Sequence, residues 1–517
     1  MTWRRLFASR VRVRQVASEA VPPAPEELIL RRLQGLAAWD AADAQPQDAS
    51  TFLRSVPAQK LFDVDESLRR ARGPSCPGWS THALERIEMA GMPDSARQSL
   101  LFLACADGDG RIRHAALRTL PAFPGYLALA AALIRCSDWV ENVRATAQAT
   151  TERLLQGCRG EDVVALWPLV LRLRARERVS QQWFSDQVDA WMLQEPSRPW
   201  LHALIGHPRA QVRAWAIRRC LDAGIRFDAD LLALAMRDPD PGIALHALRH
   251  AQRRCDATRT RALADIGVCA AHPLVRRESL RALSQMQGAL PREQVLAALC
   301  DAAAGVRSLG VFLLRDRHAE EPAAHWRAVL DSDASRPTVG ALAALADHGR
   351  PEDEARMRRW LGGPSSLVRS LALRGLIKAG GQLSDAQFAA FVASGGNRAV
   401  GMLVRYVRTG DVPVDVERIA AVVCSPASTE DARHTLRGVV AALEHWTWLA
   451  LVLEFASTDG PARQWWRQAI ADWAARGDVY APLGPHRRLT LLDALEARRE
   501  EMPLETYTVI GAAIGRH

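Results

Sequence analysis

A short pattern of polar and apolar residues returns about every 31 residues along most of this 517-residue chain. Each copy has an Asp or another helix-capping residue, a short turn, then Val or Ile followed by Arg and a helix rich in small apolar residues. The clearest copies are Asp107–Arg113, Asp138–Arg144 and Asp301–Arg307. Periods of this length are typical of stacked helical hairpins, in which one unit cannot bury its apolar face alone. The pattern therefore predicts an all-α chain of tandem helical pairs.

The Arg that closes each copy serves as a marker of the repeat. One interval, from Arg144 to Arg213, is about twice as long as the others. It predicts an unmarked repeat with a few extra residues, which we expect to use residues 179–193 and to end at Glu195-Pro196. Where the marker Arg is replaced by another residue, a turn followed by a helix still occurs at the expected spacing, so the repeat continues. The marker positions are Arg113, Arg144, Arg213, Ala244, Arg276, Arg307, Thr338, Arg369, Gly401, Arg433 and Arg463.

The turn Asp, the aliphatic residue and the Arg that follows the Asp by six positions together resemble the HEAT-repeat family. The period is similar to that of the short repeats in phycobilisome-lyase-type HEAT proteins. The resemblance covers about residues 95–475 and implies a right-handed α-solenoid of stacked HEAT-like helical hairpins. A solenoid grows in one dimension, so a chain of this length does not need several separate cores.

In the HEAT-repeat family the turn Asp and the Arg of the second helix form a ladder along the stack. The resemblance implies that Asp238, which has no Arg in its own repeat, and Arg213, which follows His207, lie where this ladder is broken. It assigns three pairs to the ladder: Asp107 with Arg113, Asp138 with Arg144, and Asp301 with Arg307.

The two ends of the chain lack the repeated pattern. We predict an atypical helical N-terminal cap with a frayed basic tail at 1–94, a repeat solenoid at 95–476, and a helical C-terminal cap at 477–517. Caps are expected because the terminal repeats of a stack would otherwise expose an apolar face. Within the N-terminal part, helical patterns appear at about 25–39 and 58–72.

Charge and composition change this interpretation only slightly. The net charge is +9, and all basic residues except Lys60 and Lys378 are Arg. Such a skew is typical of a GC-rich coding bias, so the Arg content is weak evidence for nucleic-acid binding. No apolar run is long enough to span a membrane, and the first fifteen residues lack the apolar core of a secretory signal. The nine Cys include no Cys-x-x-Cys pair. We expect a cytoplasmic, bacterial-type protein without disulfides.

The sequence offers no catalytic frame. It has no Gly-x-Ser-x-Gly and no phosphate-binding Gly-rich loop, and none of its His is followed by Glu, as the di-iron centre of HEAT-type deoxyhypusine hydroxylases would require. His246 and His250 have the spacing of two metal ligands, but no third ligand accompanies them. Cys105, Cys136, Cys269 and Cys300 precede capping turns and are interpreted as small core residues. We therefore predict no enzyme activity, no metal and no cofactor.

Two adjacent tryptophans, Trp465 and Trp466, are candidates for contact with a partner. Neighbouring positions on a helix point about 100° apart, so both rings cannot face the same core. One ring would then be exposed and could anchor a partner, because Trp is enriched at interface hot spots. The alternative is that both rings fill wide gaps near the end of the stack.

A second set of candidates lies five residues after the marker, about 120° from the buried aliphatic residue. In HEAT-like stacks the second helix lines the concave face, so these residues would form a basic stripe there. The alternative is that Arg is merely the default surface residue of this chain. The set consists of Arg118, Arg218, Arg249, Arg281 and Arg374.

Three functions remain open at this stage. The first is a scaffold or adaptor that binds another protein, one with an acidic surface, along the concave face. The second is nucleic-acid binding, similar to the HEAT-like alkylpurine DNA glycosylases, with Trp215 or Trp360 beside Arg residues to contact bases. The third is a chromophore lyase or a chaperone, which only the shared period of the repeats supports.

Overall fold

The computed structural model describes residues 46–71, 79–89, 91–225, 230–286, 290–332, 338–394, 396–456, 460–476 and 481–516. Within these ranges the chain is predominantly helical and contains no strand, so the all-α prediction is confirmed. The predicted basic tail and the helix at 25–39 lie outside the described residues. The chain divides into two compact units, residues 1–250 and residues 251–517. This boundary does not coincide with the predicted ones at 94 and 476.

The described part of the first unit has three helices that precede the repeats and continues with helical pairs. Its helices are α1 (Pro46–Ser55), α2 (Leu61–Ala71), α3 (Thr81–Met89), α4 (Asp94–Cys105), α5 (Gly110–Thr119), α6 (Tyr126–Arg135), α7 (Glu141–Gly157), α8 (Gly160–Arg174), α9 (Gln181–Trp183), α10 (Ala190–Leu193), α11 (Arg198–Ile205), α12 (Ala210–Asp222), α13 (Leu231–Met236) and α14 (Pro241–Arg254), the last of which contains the boundary between the units. A π-helical segment, Phe184–Asp189, joins α9 to α10. The segment assigned to the unmarked repeat is therefore helical from Gln181 to Leu193.

The second unit consists of further helical pairs up to the end of the described chain. Its helices are α15 (Ala257–Val268), α16 (Pro273–Gln285), α17 (Arg292–Leu299), α18 (Ala304–His318), α19 (Pro322–Asp331), α20 (Val339–His348), α21 (Glu354–Arg359), α22 (Ser366–Lys378), α23 (Asp385–Ser394), α24 (Gly396–Thr409), α25 (Val416–Val423), α26 (Glu430–Val440), α27 (His445–Phe455), α28 (Gly460–Ala475), α29 (Pro485–Glu496) and α30 (Leu504–Arg516). One apolar core runs through this unit from Leu280 to Ile514.

Within each unit the helices form two layers. In the first unit α4 packs on α6 and α6 on α8, while the second helices α5 and α7 pack on each other. In the second unit the second helices α16, α18, α20, α22, α24 and α26 contact one another in that order. The aliphatic residue before most markers is buried, as Ile112, Val143 and Val212 illustrate, although Val400 is only half-buried. Burial of this apolar stripe is what drives the pairing.

The marker Arg folds back onto the turn that precedes its own helix. Nη1 of Arg113 donates to the carbonyl oxygens of Asp107 and Gly108, both at 2.9 Å. The same contact to the carbonyls six and five residues earlier is made by Arg144, Arg213, Arg276 and Arg307. These turn carbonyls have no helical partner, so the guanidinium satisfies acceptors that would otherwise be left unpaired.

The carboxylate of the ladder comes from the following repeat. Nε and Nη2 of Arg113 bind the two carboxylate oxygens of Asp138, each at 2.9 Å. Arg276 binds Asp301 in the same way, with both contacts at 2.7 Å. Within a repeat, the marker Arg contacts only the backbone carbonyl of the turn Asp and not its carboxylate, so the predicted side-chain pairs are not formed. These pairs are Asp107 with Arg113, Asp138 with Arg144 and Asp301 with Arg307. The side chains join neighbouring repeats.

The predicted break in the ladder is wrong. Arg213 binds both carboxylate oxygens of Asp238, at 2.8 and 2.9 Å, and its Nη1 binds the carbonyls of His207 and Pro208. Since the Arg partner of Asp238 belongs to the preceding repeat, the loss of an Arg at Ala244 does not affect it. The contact from Arg213 to the turn uses backbone carbonyls, which every residue type has. His207 can therefore accept this hydrogen bond just as an Asp at the same position would.

Candidate binding surfaces

Trp465 and Trp466 are both buried, with exposed fractions of 1% and 0%. Their indole nitrogens donate to the carbonyls of Arg433 and Val452, at 2.9 and 2.8 Å. The prediction that one ring would be exposed is therefore wrong, and the alternative, in which both rings are buried, is correct. Helix α28 contacts α25, α27 and α30, so more than one of its faces is covered. These tryptophans stabilise the second unit and are not available to a partner.

In the second unit, the two predicted members of the basic stripe are already engaged with acidic side chains. Nη1 of Arg281 lies 2.9 Å from a carboxylate oxygen of Glu278. Nη2 of Arg374 lies 3.1 Å from Asp347, which also approaches Lys378. The equivalent positions of the other repeats hold no acidic residue, but acidic side chains reach these guanidiniums from other positions. This part of the stripe therefore carries little unpaired charge.

The other three members of the stripe lie in the first unit and are exposed. Within the described part of the chain, the side chains of Arg118, Arg218 and Arg249 form no ion pair or hydrogen bond. Arg218 and Arg249 both lie near His246 and, together with burial, lower its pKa; burial is the larger cause. His246 is therefore neutral at physiological pH, and the surface around it owes its positive charge to arginine.

Beside Arg218 the first unit contains a groove of about 710 Å³ between helices α8 and α12. Its floor is apolar and is formed by Pro168, Leu171, Val212, Ala214 and Trp215. Trp215 is held in place by Trp167, with the ring centroids 4.4 Å apart. This contact and its own burial hold the Trp215 ring against the interior of the first unit.

The rim of this groove is strongly basic. Four arginines and one acidic residue, Asp222, line it. Two of the four are committed elsewhere: Nη1 of Arg172 binds Asp63 at 2.9 Å, and Arg219 lies 3.3 Å from the buried Asp189. The remaining two, Arg209 and Arg218, are exposed, and within the described residues their side chains have no acidic partner. An apolar floor with a charged rim is the usual anatomy of a protein-binding site.

The sequence did not reveal the groove, although it contained a signal for it. The groove forms at the repeat with extra residues, where α8 contacts α12 directly. Pro168 lies inside α8, and the following helical segment contains a π-helical stretch. The interval between the markers Arg144 and Arg213 is about twice the usual length and contains a Pro within a helical segment. These two features indicated that the regular packing of helices changes there. Which side chains would line the gap could not be read from spacing.

The remaining candidates for chemistry are the cysteine thiols and groups of side chains that could bind a metal. Cys105 and Cys136 are buried, which raises the pKa of each thiol to about 12, as expected of core residues. Cys269 is exposed, so its assignment to the core was wrong; it follows the last residue of α15 and lies in the turn. Among the described residues, no three His, Cys, Asp or Glu side chains are grouped as a metal site requires.

The aromatic residues proposed for stacking on bases are also buried. Trp215 is 9% exposed and Trp360 is 7% exposed. Stacking platforms for nucleic acid need an accessible ring face, so neither residue can serve as one in this conformation. In the part of the chain that the structure describes, every helix is too short or too polar to cross a lipid bilayer.

Comparison with known proteins adds little. No family model matches the sequence, and no curated protein matches it. One match among solved structures is an engineered protein whose crystal structure was determined by the Northeast Structural Genomics Consortium. It is 18% identical, and the alignment covers 91% of this chain and 98% of that chain with a TM-score of 0.13. A match at this level carries no inference, so the functional argument depends on this chain's own residues.

Proposed function

We propose that this chain is a scaffold that binds a partner protein through the groove between α8 and α12. An apolar side chain of the partner would lie on the floor against Pro168 and Leu171, which are half-buried, whereas Trp215 beneath them is buried. Acidic side chains of the same segment would pair with Arg209 and Arg218 on the rim. The observation that supports this most is an apolar floor next to two exposed arginines without acidic partners.

The charge of the surface favours an acidic partner. Arg249 lies on α14, the second helix of the following repeat, and extends the positive surface beyond Arg218. No acidic side chain pairs with Arg249 in the described structure. Complementary charge speeds association and orients the partner, while the apolar contact supplies most of the affinity. A volume of about 710 Å³ is sufficient for two or three side chains of an extended segment.

The proposal can be tested without knowing the natural partner. Peptides would be selected from a random display library on the full chain, and the enriched sequences sorted by composition. We expect one large apolar residue flanked by Asp or Glu. The double variant Arg209→Glu and Arg218→Glu should bind the selected peptides at least about tenfold more weakly, because two attractive contacts become repulsive.

A matched control changes the same net charge away from the groove. Arg111 and Arg153 lie in the first unit, are exposed, form no side-chain ion pair or hydrogen bond among the described residues, and do not line the groove. Replacing both with Glu should leave peptide affinity within about a factor of two, since a distant charge is screened by salt. Equal weakening in both double variants, or enrichment of peptides without acidic residues, would refute the proposal. Displacement of the peptides by duplex DNA at physiological salt would favour the nucleic-acid alternative.

A further inference from the structure

A second cleft lies in the first unit, on the edge formed by the turns within the repeats. Its volume is about 380 Å³. Helix α2 forms one wall, and residues from three successive turns form the other: Gly108, Ser137–Trp139, and Arg176 with Arg178. A smaller polar pocket of about 320 Å³ adjoins it at Ser137, Arg176 and Arg178. The cleft shares no residue with the groove proposed for the partner.

The cleft contains more positive than negative side chains. Five arginines line it against three acidic residues, and each of the acids is already engaged. Asp65 pairs with Arg135, and Asp138 binds both Arg113 and Arg135. The third acid, Glu66, accepts from Arg70 at 3.0 Å and lies 3.8 Å from Arg176. No carboxylate in the described structure pairs with Arg69 or Arg178.

Two buried guanidinium nitrogens in this cleft have no hydrogen-bond partner among the described residues. One is Nε of Arg135, whose side chain is only 2% exposed, and the other is Nη2 of Arg69. The guanidinium of Arg69 lies 3.8 Å from the centroid of the Trp139 ring, which fixes its position. Burial, and next to it the charge of Arg135, lowers the pKa of Arg69 to about 10. An unpaired buried donor of this kind is costly unless a ligand satisfies it.

We infer that this cleft binds an oxyanion, a phosphate or a carboxylate group, through Arg69 and Arg178, with Arg135 supporting the site from below. Guanidinium groups suit such ligands because their parallel N–H groups match two oxygens at once. An anion would also offset the mutual repulsion of Arg69 and Arg135. The ligand is either a free phosphate-bearing molecule or a carboxylate on another protein. The inference stands or falls independently of the partner groove.

The test is calorimetric titration of the full chain with inorganic phosphate and, in a second arm, with N-acetyl-glutamate. We expect saturable binding of one of them below about 10 mM, which is a weak but measurable affinity for a single oxyanion. Tighter binding of phosphate would identify a phosphate-bearing ligand, and tighter binding of N-acetyl-glutamate would identify a carboxylate. No binding of either compound would overturn the inference.

Substitutions locate the site. Arg178→Gln changes an exposed residue and should weaken binding about tenfold without changing the melting temperature, because one charged contact to the anion is lost. Arg69→Gln should weaken it as much or more. Arg153→Gln, which removes an exposed charge from α7, is the matched control and should have no effect. If all three variants bound the anion equally well, or if Arg153→Gln weakened binding as much as Arg178→Gln, the cleft would not be the site.

Discussion

At the scale of single residues, Arg has two different uses in this chain. The marker Arg at the start of each second helix is a structural residue, and Arg113 is fully buried. The Arg five positions later, as at Arg118 or Arg218, points to solvent. Spacing alone predicted both positions. It did not predict the carboxylate partner of the marker, because that Asp lies 25 residues further along, in the next repeat.

The two kinds of marker contact should differ in their contribution to stability. Arg113→Ala removes a buried ion pair and leaves Asp138 with fewer partners, so we expect a loss of about 3–5 kcal/mol in the free energy of unfolding. Among the described residues Arg144 binds only turn carbonyls, so Arg144→Ala should cost about 1 kcal/mol. Urea denaturation of the three proteins measures both values. Equal losses would contradict the structural ladder.

Asp301 should contribute to the pH dependence of stability. Burial alone would raise its pKa, but hydrogen bonds from Arg276 and from the amide of Ala303 outweigh burial and hold the pKa below its ordinary value of 3.8. A carboxyl group with a lower pKa in the folded state stabilises the fold above its unfolded pKa. That stability is lost as pH falls through the folded pKa.

Thermal melts of the wild type and of Asp301→Asn between pH 7 and about pH 2 test this directly. The wild type should be the more stable of the two at neutral pH, and the difference should shrink below about pH 4. A difference in melting temperature that stayed constant down to the lowest pH would show that the charge of Asp301 does not stabilise the fold.

At the scale of helices, the neighbours on each side decide what a helix can expose. Helix α20 is a second helix, yet most of its residues are buried because α18 and α22 pack closely against it. Its composition of Gly, Ala and Leu permits this approach. Helix α28 is covered on several sides in the same way, which is why both Trp465 and Trp466 are buried. A helical wheel of one helix in isolation could not predict either result.

The close approach of α20 depends on Gly340. A Cβ at this position would lie 1.8 Å from the carbonyl oxygen of Cys300, a backbone atom that cannot move aside easily. We expect Gly340→Ala to cost about 3 kcal/mol through overpacking. Gly401 in α24 is the matched control, because a Cβ there meets nothing within 4 Å. Gly401→Ala should stabilise the protein by about 0.5–1 kcal/mol. Equal melting temperatures for the two variants would disprove the close packing of α20.

At the scale of the whole molecule, the repeat pattern predicted the all-α class and the position of nearly every helical pair. It did not predict the boundary between the compact units near His250, because the turn at 238–243 and the helix after it continue the pattern without a break. The repeated residues encode local pairing, whereas the extent of a unit depends on contacts between distant residues. For the same reason the groove and the arginine cleft were found only in the structure, because each is lined by residues that lie far apart in the chain.

The central claim is that structural and binding arginines are separated by five positions on the same helix. Arg213 and Arg218, both on α12, allow a direct test: the melting temperature and the affinity for a selected acidic peptide are measured for Arg213→Gln and Arg218→Glu. We predict that Arg213→Gln lowers the melting temperature by several degrees. At temperatures below its unfolding transition, this variant should bind the peptide with unchanged affinity. We predict that Arg218→Glu keeps the melting temperature and loses affinity. The opposite pattern, or a loss of both properties in both variants, would contradict the account.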